Sequence, residues 1–158
     1  MISATIDAMR ESDVDAAIAI DLVSFVGGEL GAGAEDPRAV RSRSLREELV
    51  RSWARLRAAR DEEGRLLGYC LFWHVVDEVH LLNVAVEVAS RRCGIGRALM
   101  DDLLAYARAH DVVRILLEVR AGNEAAIALY DRIGFTRFNI RERYYADGED
   151  AVELELRL

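Results

Sequence analysis

Apolar and polar residues alternate with period two in Ser3–Met9 (SATIDAM), which predicts a short strand. From Ser12 to Phe25 the period lengthens to that of a helix, with Ser12 or Asp13 as the cap and Ala16, Ile20 and Val23 on one face. The pattern then dissolves in VGGELGAGAEDPR, residues 26–38, which holds four glycines and the only proline and reads as a loop of functional length. A second helix, capped by Ser44, is predicted over LREELVRSW. Three alternating runs follow, ARLRAARD, RLLGYCLFWHVV and EVHLLNVAV, the first two joined by a turn at EEG, and they predict an antiparallel meander. Helical spacing returns from Ile95 to His110, with Ile95, Leu99, Leu103 and Tyr106 on the inner stripe. VVRILLEV is the next strand, and Asn123 caps a helix through Ile133 that Gly134 stops. The last stretch, FTRFNIRERYYADGEDAVELELRL, is two alternating runs joined through Asp147-Gly148, a hairpin signal.

The resulting order, β-α-α-β-β-β-α-β-α-β-β, implies an α/β fold of mixed α+β character. It is a central mixed, mostly antiparallel sheet of about seven strands flanked by four helices. At 158 residues, 52% of them hydrophobic, the chain is sized for a single domain, residues 1–158, with a sizeable core. Its apolar runs are far shorter than a membrane span, and MISATIDAMRESD has neither a basic leader nor a signal-like apolar segment, so a soluble cytoplasmic protein is expected. Cys70 reads as a small core residue. Two cysteines and three scattered histidines give no disulfide framework and no metal cluster, so no metal is expected.

A net charge of −7 argues against a nucleic-acid surface, and Arg38, Arg41, Arg43 and Arg46 read as a solvated lead-in to the second helix. An acidic surface favours cationic acceptors, an amine or a basic polypeptide, through steering alone.

RRCGIGRAL, Arg91–Leu99, sits where a strand pattern gives way to a helix, the place where glycine-rich backbone and a helix N-terminus receive phosphate. The alternative is a plain tight turn. A Walker loop is excluded, because Gly96 is followed by Arg97 and Ala98 and the chain has no lysine. A dinucleotide fingerprint fits poorly, because Leu99 stands where a third Gly or Ala belongs.

Other positions carry local readings of their own. Within VVRILLEV, Val113, Ile115, Leu117 and Val119 alternate with Arg114, Leu116, Glu118 and Arg120, so Glu118 is a carboxylate near the end of an apolar strand, either paired with a neighbouring arginine or functional. Asn123 reads as a helix cap and Tyr130 as a packing aromatic. RYYADGEDA reads as hairpin chemistry, in which alternation lets only one of Tyr144 and Tyr145 face a cleft. Cys93 reads as a loop residue without a resolving cysteine nearby.

The element order, with R-x-x-G-x-G after the fourth strand, resembles the GCN5-related N-acetyltransferase (GNAT) superfamily. LLNVAVEVASRRCGIGRALM, LLEVRAGNEAAIALYDRIGF and RYYADGEDAVELEL are similar to the ribosomal-protein-alanine N-acetyltransferases of the RimI type, over roughly residues 78–158. The resemblance implies an acyltransferase that uses acetyl-CoA as co-substrate. It makes Arg91, Arg92, Cys93, Gly94, Ile95, Gly96 and Arg97 the pyrophosphate cradle, places Val84, Ala85 and Val86 beside the thioester, and gives Asn123 a cofactor contact. It makes Glu118 the general base, Tyr130 the acid for the departing thiolate and Tyr144 or Tyr145 part of a peptide wall. The implied acceptor is the N-terminal residue, alanine by resemblance, of a small-subunit ribosomal or other protein, with no membrane or direct nucleic-acid partner. Two other readings stand beside it, an acetyltransferase of a small amine or antibiotic and a catalytically silent acyl-CoA-binding module. The chain departs from the family in one place: the Pro-Trp pair usual after the first helix is replaced by VGGELGAGAEDPR.

Overall fold

The computed structural model describes residues 3–24 and 35–158, so residues 26–34 of the glycine-rich stretch lie outside the described residues. The strands are β1 (Thr5–Ala8), β2 (Ala54–Arg60), β3 (Leu66–Val75), β4 (Glu78–Val86), β5 (Arg114–Arg120), β6 (Thr136–Arg141) and β7 (Ala151–Arg157). The helices are α1 (Val14–Ser24), α2 (Pro37–Val50), α3 (Ile95–Ala109) and α4 (Glu124–Ile133). They follow one another in the predicted order. The sheet runs β1-β2-β3-β4-β5-β7-β6, and every neighbouring pair is antiparallel except β4 with β5. A parallel pair needs a long crossover, and α3 supplies it.

Two apolar layers cover the sheet. On one face α3 lays Leu99, Met100 and Leu103, all fully buried, against Ile115 and Leu117. The stripe is the one its periodicity predicts, Ile95 included, while Tyr106 is half-buried at its end. Burying each such side chain stabilises the fold by about 1.5–3 kcal/mol. On the other face Val14, Ala17 and Ile18 of α1 and Leu45 of α2 pack on Leu56 and Tyr69.

Four local expectations are corrected. The buried stripe of α1 is Val14, Ala17, Ile18 and Asp21; Ile20 is buried, but Ala16 is exposed and Val23 is 57% exposed. Asp13 does not cap α1: its carboxylate is buried, pairs bidentately with Arg60 at 2.7 and 2.6 Å, and accepts the Arg10 N–H. Helix α2 begins at Pro37, not after Ser44, because the Asp36 side chain accepts the Arg38 N–H at 3.1 Å and proline suits the first helical position. Arg38, Arg41, Arg43 and Arg46 therefore belong to the helix itself; Arg43 pairs with Glu35 and Arg46 with Glu11. Finally, β6 and β7 pair as predicted, but a long loop, residues 142–150, joins them. Asp147-Gly148 makes only the turn at its tip, with the Gly148 N–H donating to the Tyr145 carbonyl at 2.8 Å.

One irregularity shapes the rest of the molecule. Phe72 pairs with Leu81 and Leu71 with Asn83, so Leu82 is an extra residue in β4. A bulge flips the side-chain alternation. Before it, Val79 and Leu81 face the α3 layer; after it, Val84 and Val86 face that layer, while Ala85 turns into the α1 and α2 layer. The β4–β5 ladder runs from Glu78 opposite Arg114 to Leu81 opposite Leu117 and stops there.

Candidate active site

Beyond that last pair a cleft of about 380 Å³ lies between β4 and β5, walled by Leu82, Asn83 and Val84 on one strand and by Leu117, Glu118 and Val119 on the other. Its lining also draws on both helical layers: Asn123, Ala126 and Tyr130 from the α4 side, Asp21, Arg41 and Leu45 from the α1 and α2 side. The parted strands thus leave an opening that connects the two faces of the sheet.

Alternation along β5 decides which group faces which side. Leu117 and Val119 enter the α3 and α4 core, so Glu118 projects to the opposite side, toward the α1 and α2 layer. The Glu118 side chain retains 34% exposure and lies 3.6 Å from Arg141 Nη2. The Glu118 carboxylate pushes the Tyr144 phenol above its usual pKa. The predicted arginine partner is therefore real, but it comes from β6, not from Arg114 or Arg120 of the same strand. Arg120 turns instead to Asp147 at 3.0 Å and lies 4.0 Å from the centre of the Tyr145 ring.

Tyr144 and Tyr145 both belong to the cleft region. They sit in loop 142–150, where strand alternation does not apply, and their rings meet edge to face at 5.2 Å. Of the two, Tyr145 lines the cleft, while Tyr144 is not part of its lining and is 46% exposed. One of the pair faces the cleft, as expected, but loop geometry rather than strand alternation selects it.

Tyr130 is buried on the other side of the opening, its ring 5.6 Å from Phe135, and burial raises its phenol well above the ordinary value. Asn123 caps α4 by accepting the Ala126 N–H at 3.2 Å and also lines the cleft. Glu118 and Tyr130, far apart in sequence and on elements of different kind, thus flank one gap in the sheet.

The glycine-rich segment lies at the start of α3. Arg92 and Gly94 adopt left-handed backbone, φ 60° and 86°, and the first helical bond runs from the Ala98 N–H to the Gly94 carbonyl. As the first residues of α3, Ile95, Gly96 and Arg97 have N–H groups with no partner inside the helix, which leaves amides beside its positive end. Arg91 donates through Nε to the Val86 carbonyl, Cys93 Sγ lies 3.4 Å from the Arg91 carbonyl, and Arg97 pairs with Asp101 one turn on. Ile95 is buried. Gly94 is the glycine that the backbone requires; at Gly96 an added Cβ would make only ordinary contact with Leu129 and Val86. The three β4 residues divide: Val84 lines the cleft, Val86 adjoins Gly96, and the Ala85 side chain is buried in the opposite layer.

Sequence reasoning passed over a polar network on the α1 side of the cleft. The Tyr69 hydroxyl donates to Asp21 at 2.6–2.7 Å, and Asn83 Nδ2 donates to the Tyr69 oxygen at 2.8 Å and to Asp21 at 3.3 Å. Asp21 and Tyr69 are buried, and burial together with the Asp21 charge holds the phenol well above its usual pKa. The available signal was a polar letter inside three apolar runs, AIAIDLV, GYCLF and LLNVAV. Among the described residues no group of three or more metal-ligating side chains comes together, and no helix is long and apolar enough to cross a membrane.

Comparison with known proteins matches residues 28–135 to the model of the acetyltransferase (GNAT) family. The chain is 41% identical over 98 residues to the [ribosomal protein bS18]-alanine N-acetyltransferase of Escherichia coli K12, a stretch covering 60% of this chain and 66% of that protein. It is 40% identical over 78 residues to an N-alpha-acetyltransferase of Sulfurisphaera tokodaii, covering 49% and 47% of the two chains. The chain thus spans just under two thirds of the E. coli relative and about half of the archaeal one. The crystal structure of the E. coli ribosomal-protein-S18-alanine N-acetyltransferase superposes with a TM-score of 0.80 at 30% identity, over 98% of this chain and 94% of that one. Ard1 from Thermoplasma volcanium, 24% identical with a TM-score of 0.81 over 99% of both chains, shares the fold.

Proposed function

We propose that this chain, which belongs to the acetyltransferase (GNAT) family, is an Nα-acetyltransferase that moves an acetyl group from acetyl-CoA to the N-terminal amine of a protein. The observation that carries the reading is the placement of Glu118 and Tyr130 on opposite sides of the gap between β4 and β5. Acetyl-CoA supplies an activated thioester, and the residues fit it. The amides of Arg92 through Arg97 suit a diphosphate, as does the helix end behind them. The β5-facing edge of β4 beyond Leu81 has no ladder partner and suits the pantetheine arm.

The acceptor amine enters from the α1 and α2 side. Attack needs that amine neutral, and an α-amino group with a reference pKa of about 7.7–8.0 is easily deprotonated by a carboxylate, directly or through one water. Glu118 takes this proton, with the Arg141 guanidinium 3.6 Å away as its charged neighbour. A β4 backbone N–H at Val84 or Ala85 polarises the thioester carbonyl. Tyr130 gives a proton to the leaving thiolate on the far side, and its raised pKa keeps the phenol protonated throughout the neutral range.

The preferred acceptor is the N-terminal alanine of a small-subunit ribosomal protein. The E. coli relative, matched both in sequence and as a crystal structure, supports this, since it is named for alanine acetylation on ribosomal protein bS18. Tyr145 walls the acceptor side with Tyr144 packed edge to face against it, and the net charge of −7 steers a basic polypeptide toward it. Candidate N-terminal peptides incubated with acetyl-CoA are expected to gain one acetyl group by intact-mass analysis. Acetylation of polyamines or aminoglycosides with no peptide modified would overturn the acceptor class. An absence of CoA release with every amine would leave only an acyl-CoA-binding module.

A further inference from the structure

We infer that the buried network of Asp21, Tyr69 and Asn83 is a positioning device that holds β4 in its bulged register and so keeps the acceptor half of the cleft open. The inference rests on the acetyltransferase reading for its activity readout and on geometry alone for its structural one.

The stretch LLNVAV is nearly all apolar, and its hydrophobicity alone does not choose between registers. Without the extra residue Leu82, the alternation set by Val79 and Leu81 would carry Asn83 and Ala85 into the α3 layer and turn Val84 and Val86 away from it. Asn83 in that layer would lose the partners it now has, and an unpartnered buried amide is costly. In the observed register Asn83 meets the Tyr69 hydroxyl at 2.8 Å and Asp21 at 3.3 Å. Asp21 occupies the next position of the α1 stripe after Val14, Ala17 and Ile18, where an apolar side chain would otherwise sit. The network therefore ties α1, β3 and β4 together at the residue following the bulge, two positions past the last β4–β5 pair, Leu81 with Leu117. All three residues line the cleft. Polar groups in a core fix one arrangement over near-degenerate alternatives.

Tyr69→Phe removes one hydroxyl and keeps the ring. The folded variant is expected to show faster amide hydrogen exchange at residues 82–86 than elsewhere in the sheet. Its kcat/KM for the acceptor peptide should fall about ten- to hundredfold, the scale of a lost buried hydrogen bond. With Tyr69 intact, Asp21→Asn keeps an oxygen that accepts the Tyr69 hydroxyl and should retain most of the activity, whereas Asp21→Leu should lose it. Uniform acceleration of exchange with normal kcat/KM would reduce the network to general stability and overturn the inference, as would unchanged exchange at residues 82–86. If no peptide is acetylated by the parent protein, the functional reading fails, and the exchange pattern still decides this one.

Discussion

Arg141 Nη2 lies 3.6 Å from Glu118 Oε1, so the last residue of β6 and a residue of the central strand β5 form one charged pair at the cleft. The same carboxylate raises the phenol of Tyr144 in the β6–β7 loop. The candidate base is therefore oriented by a segment that, in sequence, follows the rest of the site.

Replacing Glu118 with Gln should lower turnover at neutral pH by about 10²–10⁴-fold, the usual worth of general-base assistance. Activity should partly recover at high pH, where more of the acceptor amine is already neutral. A pH–rate profile checks this, and equal impairment at every pH would return Glu118 to a purely structural pair with Arg141. The same substitution removes the carboxylate that raises Tyr144, so that phenol should titrate at lower pH than in the parent, as followed by ultraviolet absorbance.

For Tyr130→Phe the ring that packs on Phe135 remains, so the thermal midpoint should barely move. If the hydroxyl serves the leaving group, kcat falls while acetyl-CoA affinity holds, because the lost interaction belongs to the transition state. Lost affinity with normal kcat would make Tyr130 a binding residue. The raised phenol predicts that no alkaline loss of activity below pH 10 comes from its titration.

The two glycines of the α3 loop should behave differently. Gly94→Ala forces a side chain into left-handed backbone and should cost about 1–2 kcal/mol in chemical denaturation. Gly96→Ala adds a methyl in ordinary contact with Leu129 and Val86, so stability should hold while acetyl-CoA binding, measured by calorimetry, weakens. Unchanged affinity in folded Gly96→Val as well would remove the diphosphate from this loop.

Asp13 governs acid stability at the other end of the sheet. Its hydrogen bonds to Arg60 hold the carboxyl below the usual value in the folded state. A carboxyl depressed by folding contributes stability above its unfolded pKa, about 3.9, and that contribution is lost as pH falls through the lower folded value. Denaturation midpoints should therefore fall below pH 4 in the parent and much less so in Asp13→Asn. At neutral pH that variant should be less stable by about 1.5–3 kcal/mol, because the buried guanidinium keeps Asp7 but exchanges a charged bidentate partner for a neutral amide with one accepting oxygen.

The sequence by itself determined the order of the elements, the inner stripe of α3, the cap at Asn123, the stop at Gly134 and the face of β5 that carries Glu118. These are local facts, fixed by period and by end chemistry within a turn or a strand. The start of α2 was equally local, since Asp36-Pro37 is a stronger opening than Ser44, and weighing cap chemistry above apolar spacing reads it correctly. Only the tertiary structure decided the rest. The extra residue Leu82 leaves no mark in an apolar run such as LLNVAV, because a bulge is defined by the strand opposite. The Arg141 partner of Glu118 depends on β7 lying between β5 and β6. Asp21, Tyr69 and Asn83 come from three elements, and their meeting is set by how α1 packs across the sheet. Periodicity says which face a residue takes, but which residue waits across the gap follows from burying both layers of the core at once.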